Sequence, residues 1–97
     1  MLLDNPKTGT IDCFLDGASI TAYRTGAVGA AGIKYTSGEN CHNLGIVGTG
    51  VQAFYQAQYA TAVRDIENIY VYNITPWKSE EFAKRLKEKL PGVNIIP

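Results

Sequence analysis

Apolar positions along this chain come in short clusters whose spacing changes from segment to segment. Residues 1–3 and 10–15 are extended candidates flanking Asp4-Asn5-Pro6-Lys7-Thr8-Gly9, an insert dense in turn formers, so the segment reads as a β-hairpin closed by Asp16-Gly17. A lone hairpin is marginal in water, and no nearby segment supplies it with a larger sheet. Residues 19–37 then take on a helical period, with Ala22, Gly26, Gly29 and Ile33 on one face and Gly26, Gly29 and Gly32 three apart. Each glycine inside a helix costs about 1 kcal/mol against alanine. Three of them call for close approach by another backbone or a ligand; a flexible glycine loop is the alternative.

Beyond the Ser37-Gly38-Glu39-Asn40 loop the pattern changes again. Leu44-Gly45-Ile46-Val47 is an apolar run suited to a strand buried on both faces, and residues 51–63 continue as a helix. Ile69-Tyr70-Val71-Tyr72 reads as a second buried strand. Thr75 is the expected N-cap of a further helix, with Pro76 at its first position. Phe82, Leu86 and Leu90 form its buried stripe, while Glu80 with Lys84 and Glu81 with Arg85 stand at i,i+4 on the wet side. Pro91-Gly92 stops it, and Val93-Asn94-Ile95-Ile96 opens a third strand. The predicted fold class is α/β: a hairpin and a connecting helix, then a parallel β-α-β-α-β unit, a partial Rossmann arrangement with right-handed crossovers.

Composition narrows the function classes. With 97 residues, 45% hydrophobic and 19% charged, the chain is an ordinary globular length of sequence and at most one small domain. Nine basic residues balance nine acidic ones, so no broad basic face for nucleic acid exists. The cations between Lys78 and Lys89 interleave with Glu80, Glu81 and Glu88, as on a solvated helix face. Cys13 and Cys41 lack metal-type spacing and read as reduced thiols of a cytoplasmic protein. His42 is the single histidine, and the sequence offers it no evident co-ligands, so no metal site is expected. No apolar run approaches the roughly 18 residues of a membrane span, and no signal-peptide pattern opens the chain.

Candidate chemistry concentrates at Gly48-Thr49-Gly50-Val51-Gln52-Ala53, a G-x-G-x-x-A turn. Gly48 permits the tight turn off the strand, Gly50 lets backbone approach a pyrophosphate, and Ala53 lets the helix pack on the sheet. Free N–H groups and the positive end of the helix dipole then face the anion. The preceding strand and following helix and strand are the context that separates a dinucleotide site from a glycine turn that merely packs. Where a ribose-reading carboxylate is expected, the chain has Asn73-Ile74-Thr75. Asn73 does not repel a 2′-phosphate, and Thr75 and Lys78 are potential donors to one, but Ile74 supplies no guanidinium. The balance tilts slightly towards NADP, with NAD also open as the cofactor.

Residues 20–30 (Ile20-Thr21-Ala22-Tyr23-Arg24-Thr25-Gly26-Ala27-Val28-Gly29-Ala30), followed by residues 44–53, resemble the ornithine cyclodeaminase/μ-crystallin family. Val63-Arg64-Asp65-Ile66-Glu67 and Tyr72-Asn73-Ile74-Thr75-Pro76 continue the resemblance. It implies residues 1–18 as a hairpin of a substrate and dimerisation domain, 19–40 as a connecting helix and loop, and 41–97 as part of an NAD(P)-binding Rossmann domain. It implies that Arg24 contacts a substrate carboxylate, with a surface salt bridge as the alternative, and that Thr25 faces cofactor phosphate. Gly48, Thr49, Gly50, Val51 and Gln52 match the pyrophosphate turn, and Asn73 with Thr75 the adenosine ribose. The implied activity is hydride transfer at the α carbon of a small amino or imino acid by a homodimeric enzyme: ornithine to proline and ammonia, or alanine dehydrogenase or ketimine reductase chemistry. A μ-crystallin-like NADP-binding protein without catalysis is the other class. The family's substrate-binding lysine and catalytic aspartate match no position here. The expectation is thus a piece of a longer enzyme, with no catalytic residue of its own and inactive alone.

Overall fold

The computed structural model describes residues 1–97 and runs β1 (Leu2–Asp4), β2 (Ile11–Phe14), α1 (Gly17–Thr36), β3 (Asn43–Val47), α2 (Val51–Val63), β4 (Asn68–Tyr72), α3 (Pro76–Lys89) and β5 (Asn94–Ile96). The expected α/β order is realised. β1 and β2 form an antiparallel hairpin, while β3, β4 and β5 form a separate parallel sheet in that spatial order. β3 is hydrogen-bonded to β4 alone and so is an edge strand.

Local chemistry explains the hairpin and the start of α1. The Asn5 carboxamide oxygen accepts the Lys7 amide at 2.9 Å, and Gly9 adopts φ 73°, which closes the turn. Asp16 had been expected only to close the second strand. It is instead the N-cap of α1: its carboxylate accepts the Ala18 amide at 3.1 Å and the Ser19 hydroxyl at 2.8 Å. Those two donors hold its pKa below the ordinary value of 3.8.

Two of the three helical glycines serve close packing. A Cβ on Gly26 would lie 2.6 Å from the Tyr59 ring and 3.1 Å from the Tyr55 Cβ, and one on Gly29 would lie 3.0 Å from the Gln56 amide oxygen. Helix α2 therefore comes against α1 along a line where Gly26 leaves no room for a side chain and Gly29 leaves little. Gly32 has open space and takes no part in this approach. Beside the contact, the Tyr23 and Tyr55 rings pack at a tilt of 57° with centroids 4.7 Å apart.

Arg64 locks this pair of helices to the loop after α1. Its Nη2 donates to the carbonyls of Lys34 (2.8 Å) and Ser37 (3.1 Å), and its Nε to the Ser37 hydroxyl (3.1 Å) and the Gly38 carbonyl (3.2 Å). A guanidinium at the last carbonyls of α1 satisfies orphan acceptors and opposes the helix dipole.

The core lies on one face of the parallel sheet, where Ile69 and Val71 of β4 meet Ala57 of α2 and Phe82 and Leu86 of α3, with Ile66 beside them. Right-handed crossovers place both helices on that side. The strands expected to be buried on both faces are consequently buried on one: Tyr70 and Tyr72 are exposed, and Val47 is 84% exposed. Register across the sheet is marked by an asparagine row, in which Asn68 Nδ2 donates to Asn43 Oδ1 at 2.8 Å and Asn94 Nδ2 to Asn68 Oδ1 at 3.2 Å. No helix is long and apolar enough to cross a membrane.

Candidate functional site

The site is built at the upper ends of β3 and β4. The chain leaves β3 at Val47 and turns through Gly48, whose φ of 102° lies in the region that favours glycine. The Gly48 amide donates to the Tyr72 carbonyl at 2.8 Å, which ties the corner to the end of β4. Gly50 is the N-cap of α2 and carries no side chain to cap the amides ahead of it. The Gly50 carbonyl receives the Phe54 amide at 3.2 Å, so the amides of Val51, Gln52 and Ala53 precede the helical ladder. A Cβ added to Gly48 or Gly50 would meet nothing within 4 Å. The corner is bare backbone open to space, flanked by parallel strands, with the positive end of a 13-residue helix behind it. That arrangement fits a diphosphate.

A cavity of about 420 Å³ extends from this corner along α3. Thr49 and Gly50 contribute from the turn and Asn73 from the end of β4, so three of the expected cofactor residues share one hollow. Its other wall is α3, presenting Trp77, Lys78, Glu81 and Arg85 above the buried Phe82. Sequence reading did not single out Trp77, Glu81 and Arg85 for the site. The available signal was their i,i+4 succession on one helix face starting beside Asn73. Arg85 had been placed in a wet pair with Glu81; its guanidinium in fact lies over the Phe54 ring, 4.9 Å from the centroid.

The side chains of the other expected residues do not line that hollow. Val51 is exposed on the first turn of α2, and Thr75 is the N-cap of α3 with no side-chain capping bond. Gln52 lines a second groove, about 340 Å³, between α1, β3 and α2, together with Ile33, Ile46 and Gln56. Arg24 and Thr25 are exposed on α1 and line a third hollow of about 320 Å³ with Met1, Ile20, Thr21 and Val28. The structure does not bring Arg24 into the cavity at the glycine corner.

At the opposite end of the sheet, His42 has neighbours that sequence reading did not find. Ligand-type atoms of His42, Asp65 and Glu67 lie within 4.8 Å of one another. His42 Nδ1 donates to the Asp65 carbonyl at 2.7 Å, and the His42 carbonyl accepts the Glu67 amide at 2.7 Å. These bonds join the start of β3 to the turn before β4.

Comparison with known proteins places this geometry in a wider set. The model of the ornithine cyclodeaminase/mu-crystallin family matches residues 1–96. The chain is 38% identical to a Δ(1)-pyrroline-2-carboxylate reductase of Bacillus cereus over 92% of its own length and 27% of that protein. Among solved structures it is similar to the Thermococcus litoralis Δ(1)-pyrroline-2-carboxylate reductase in complex with NADH and L-proline, with TM-score 0.93 and 40% identity over 98% of this chain and 29% of that one. It is also similar to an archaeal alanine dehydrogenase dimer with bound NAD, with TM-score 0.88 and 28% identity over 97% of this chain and 29% of that one. The chain thus spans less than a third of the length of these relatives.

Proposed function

Since this chain belongs to the ornithine cyclodeaminase/mu-crystallin family, we propose that it forms the cofactor-gripping part of an NAD(P)-dependent enzyme that transfers hydride at the α carbon of a small amino or imino acid. The observation that carries this reading is the bare glycine corner between parallel β3 and β4, in a chain that matches the family over residues 1–96. Backbone amides at Gly50, Val51 and Gln52 hold the pyrophosphate, with Gly48 and Thr49 shaping the turn, and Asn73 and Thr75 attend the adenosine ribose. The cofactor, when bound, supplies or takes up the hydride. Arg24 holds the substrate carboxylate through its guanidinium fork, and Thr25 beside it meets cofactor phosphate. No proton-transferring residue is assigned among these 97 residues. The β1–β2 hairpin belongs to a substrate and dimerisation domain, and the working enzyme is a homodimer.

Reduction of a cyclic imino acid is the favoured chemistry, because the similar proteins of 38% and 40% identity are both Δ(1)-pyrroline-2-carboxylate reductases. In that reaction hydride adds to the imine carbon and a proton to the nitrogen. Ornithine conversion to proline and ammonia is the second reading, favoured by the family match. The test is to supply the full-length protein with NADH or NADPH and Δ(1)-pyrroline-2-carboxylate, following nicotinamide absorbance, and separately with ornithine, following ammonia. Oxidation of the cofactor supports the first reading and ammonia release the second. Cofactor binding without turnover of any amino or imino acid would overturn both in favour of a binding protein.

A further inference from the structure

We propose that the cavity between the glycine corner and α3 selects NADP(H) over NAD(H), with Lys78 and Arg85 reading the 2′-phosphate and Trp77 offering a face to the adenine. This rests on the dinucleotide reading given above and assigns the charged end of that site. Where a carboxylate would accept the ribose hydroxyls and repel a phosphate, the cavity presents the neutral amide of Asn73. Two cations and one anion, Lys78 and Arg85 with Glu81, line the α3 wall of the hollow. Glu81 stands three residues after Lys78 and four before Arg85, so it offsets one of them and leaves a net positive charge. A dianionic phosphate gains from that charge, and a hydroxyl does not.

The two cations are held differently. Arg85 is exposed and lies over the Phe54 ring at 4.9 Å, which places its planar fork at the wall of the cavity near the start of α2. Lys78 is exposed, with its Nζ 5.7 Å from the Trp77 ring centroid. Trp77 leaves 59% of its surface exposed at the same wall. A large indole on an open cavity beside a ribose-reading position suits stacking by a purine. A volume of about 420 Å³ is within the range of small-molecule sites.

The experiment is a titration of the full-length protein with NADH, NADPH, 5′-AMP and 2′,5′-ADP, followed by protein fluorescence or calorimetry. NADPH is expected to bind at least tenfold more tightly than NADH, and 2′,5′-ADP more tightly than 5′-AMP. Lys78→Ala should erase most of that advantage while changing NADH affinity less than twofold, and Glu81→Gln should enlarge it. Arg85→Ala is read alongside its melting temperature, since Phe54 loses a packing partner. Equal affinities for the two cofactors, or a Lys78→Ala loss shared equally by both, would overturn the selectivity while leaving dinucleotide binding in place. Failure of all four probes to bind would instead overturn the dinucleotide reading itself.

Discussion

Gly48 and Gly50 stand two residues apart and answer to different demands. Gly48 is required by its own backbone, at φ 102°. Gly50 has an ordinary φ of −79°, so other residues adopt its conformation without strain. A Cβ there meets no protein atom within 4 Å and would occupy open space at the corner. Gly50→Val is therefore expected to lower cofactor affinity by tenfold or more while moving the melting temperature little. Titration and thermal melting of the same variant check this, and unchanged affinity would mean that the turn only packs. The sequence made both glycines legible because a G-x-G-x-x-A spacing after an apolar run encodes a backbone shape. It did not make Arg64 legible. Apart from the adjacent Val63 carbonyl, that residue's partners are 26 to 30 positions away and are mostly carbonyls, which carry no residue-type signature. Arg64→Ala should destabilise by about 1–3 kcal/mol, as a part-buried hydrogen-bond network is lost. Arg64→Lys should recover less than half of this, since one ammonium cannot replace the fork. Urea unfolding of the three proteins measures the difference.

At the scale of the element, α1 contains its own control experiment. Gly26 and Gly32 occupy the same helix, and either replaced by alanine gains helix propensity of about 1 kcal/mol. Only Gly26 faces a ring 2.6 Å from the new methyl and a fixed Tyr55 Cβ at 3.1 Å. Gly26→Ala is thus expected to destabilise by about 1–3 kcal/mol net, and Gly32→Ala to stabilise by about 0.5–1 kcal/mol. If denaturant midpoints move in the same direction for both, α1 and α2 do not pack through Gly26. The amino end of α1 answers to pH. Asp16 has a folded pKa below its ordinary 3.8, so its cap contributes fully above about pH 4 and is lost as pH falls through the lowered value. Asp16→Asn should flatten that acid limb, measured as melting temperature between pH 2 and pH 6. The sequence predicted the close approach through Gly26 and Gly29 from three-residue spacing but included Gly32, whose surroundings no local pattern reveals. It likewise took β3 and β4 as buried on both faces, because apolar runs record a residue's tolerance for burial and not which neighbours arrive.

For the molecule as a whole, surface is the telling quantity. Its accessible area is 6612 Å², about 1,200 Å² more than a compact monomer of this mass exposes. The extents are 52 × 32 × 23 Å, and the radius of gyration is 16.5 Å where a compact chain of this length has about 13 Å. Phe14, Val28, Val47, Val51 and Ile74 each stand more than half exposed. Arg24 and the glycine corner occupy different hollows. A reaction that needs both ends at once is not expected from these residues alone. The 97-residue chain mixed with NADH or NADPH and candidate amino or imino acids should leave the nicotinamide absorbance unchanged; sustained turnover would show that it is self-sufficient.

The free side of β3 bears on handling as well as on chemistry. Main-chain groups along Asn43–Val47 that point away from β4 form a row of unmet donors and acceptors. Such a row is a template for any extended segment of a like molecule, and Gly45 and Val47 offer neither charge nor proline to discourage it. β5 leaves a second such row at the other side of the sheet, so strand addition by like molecules, and with it a dependence on protein concentration, is open at both edges.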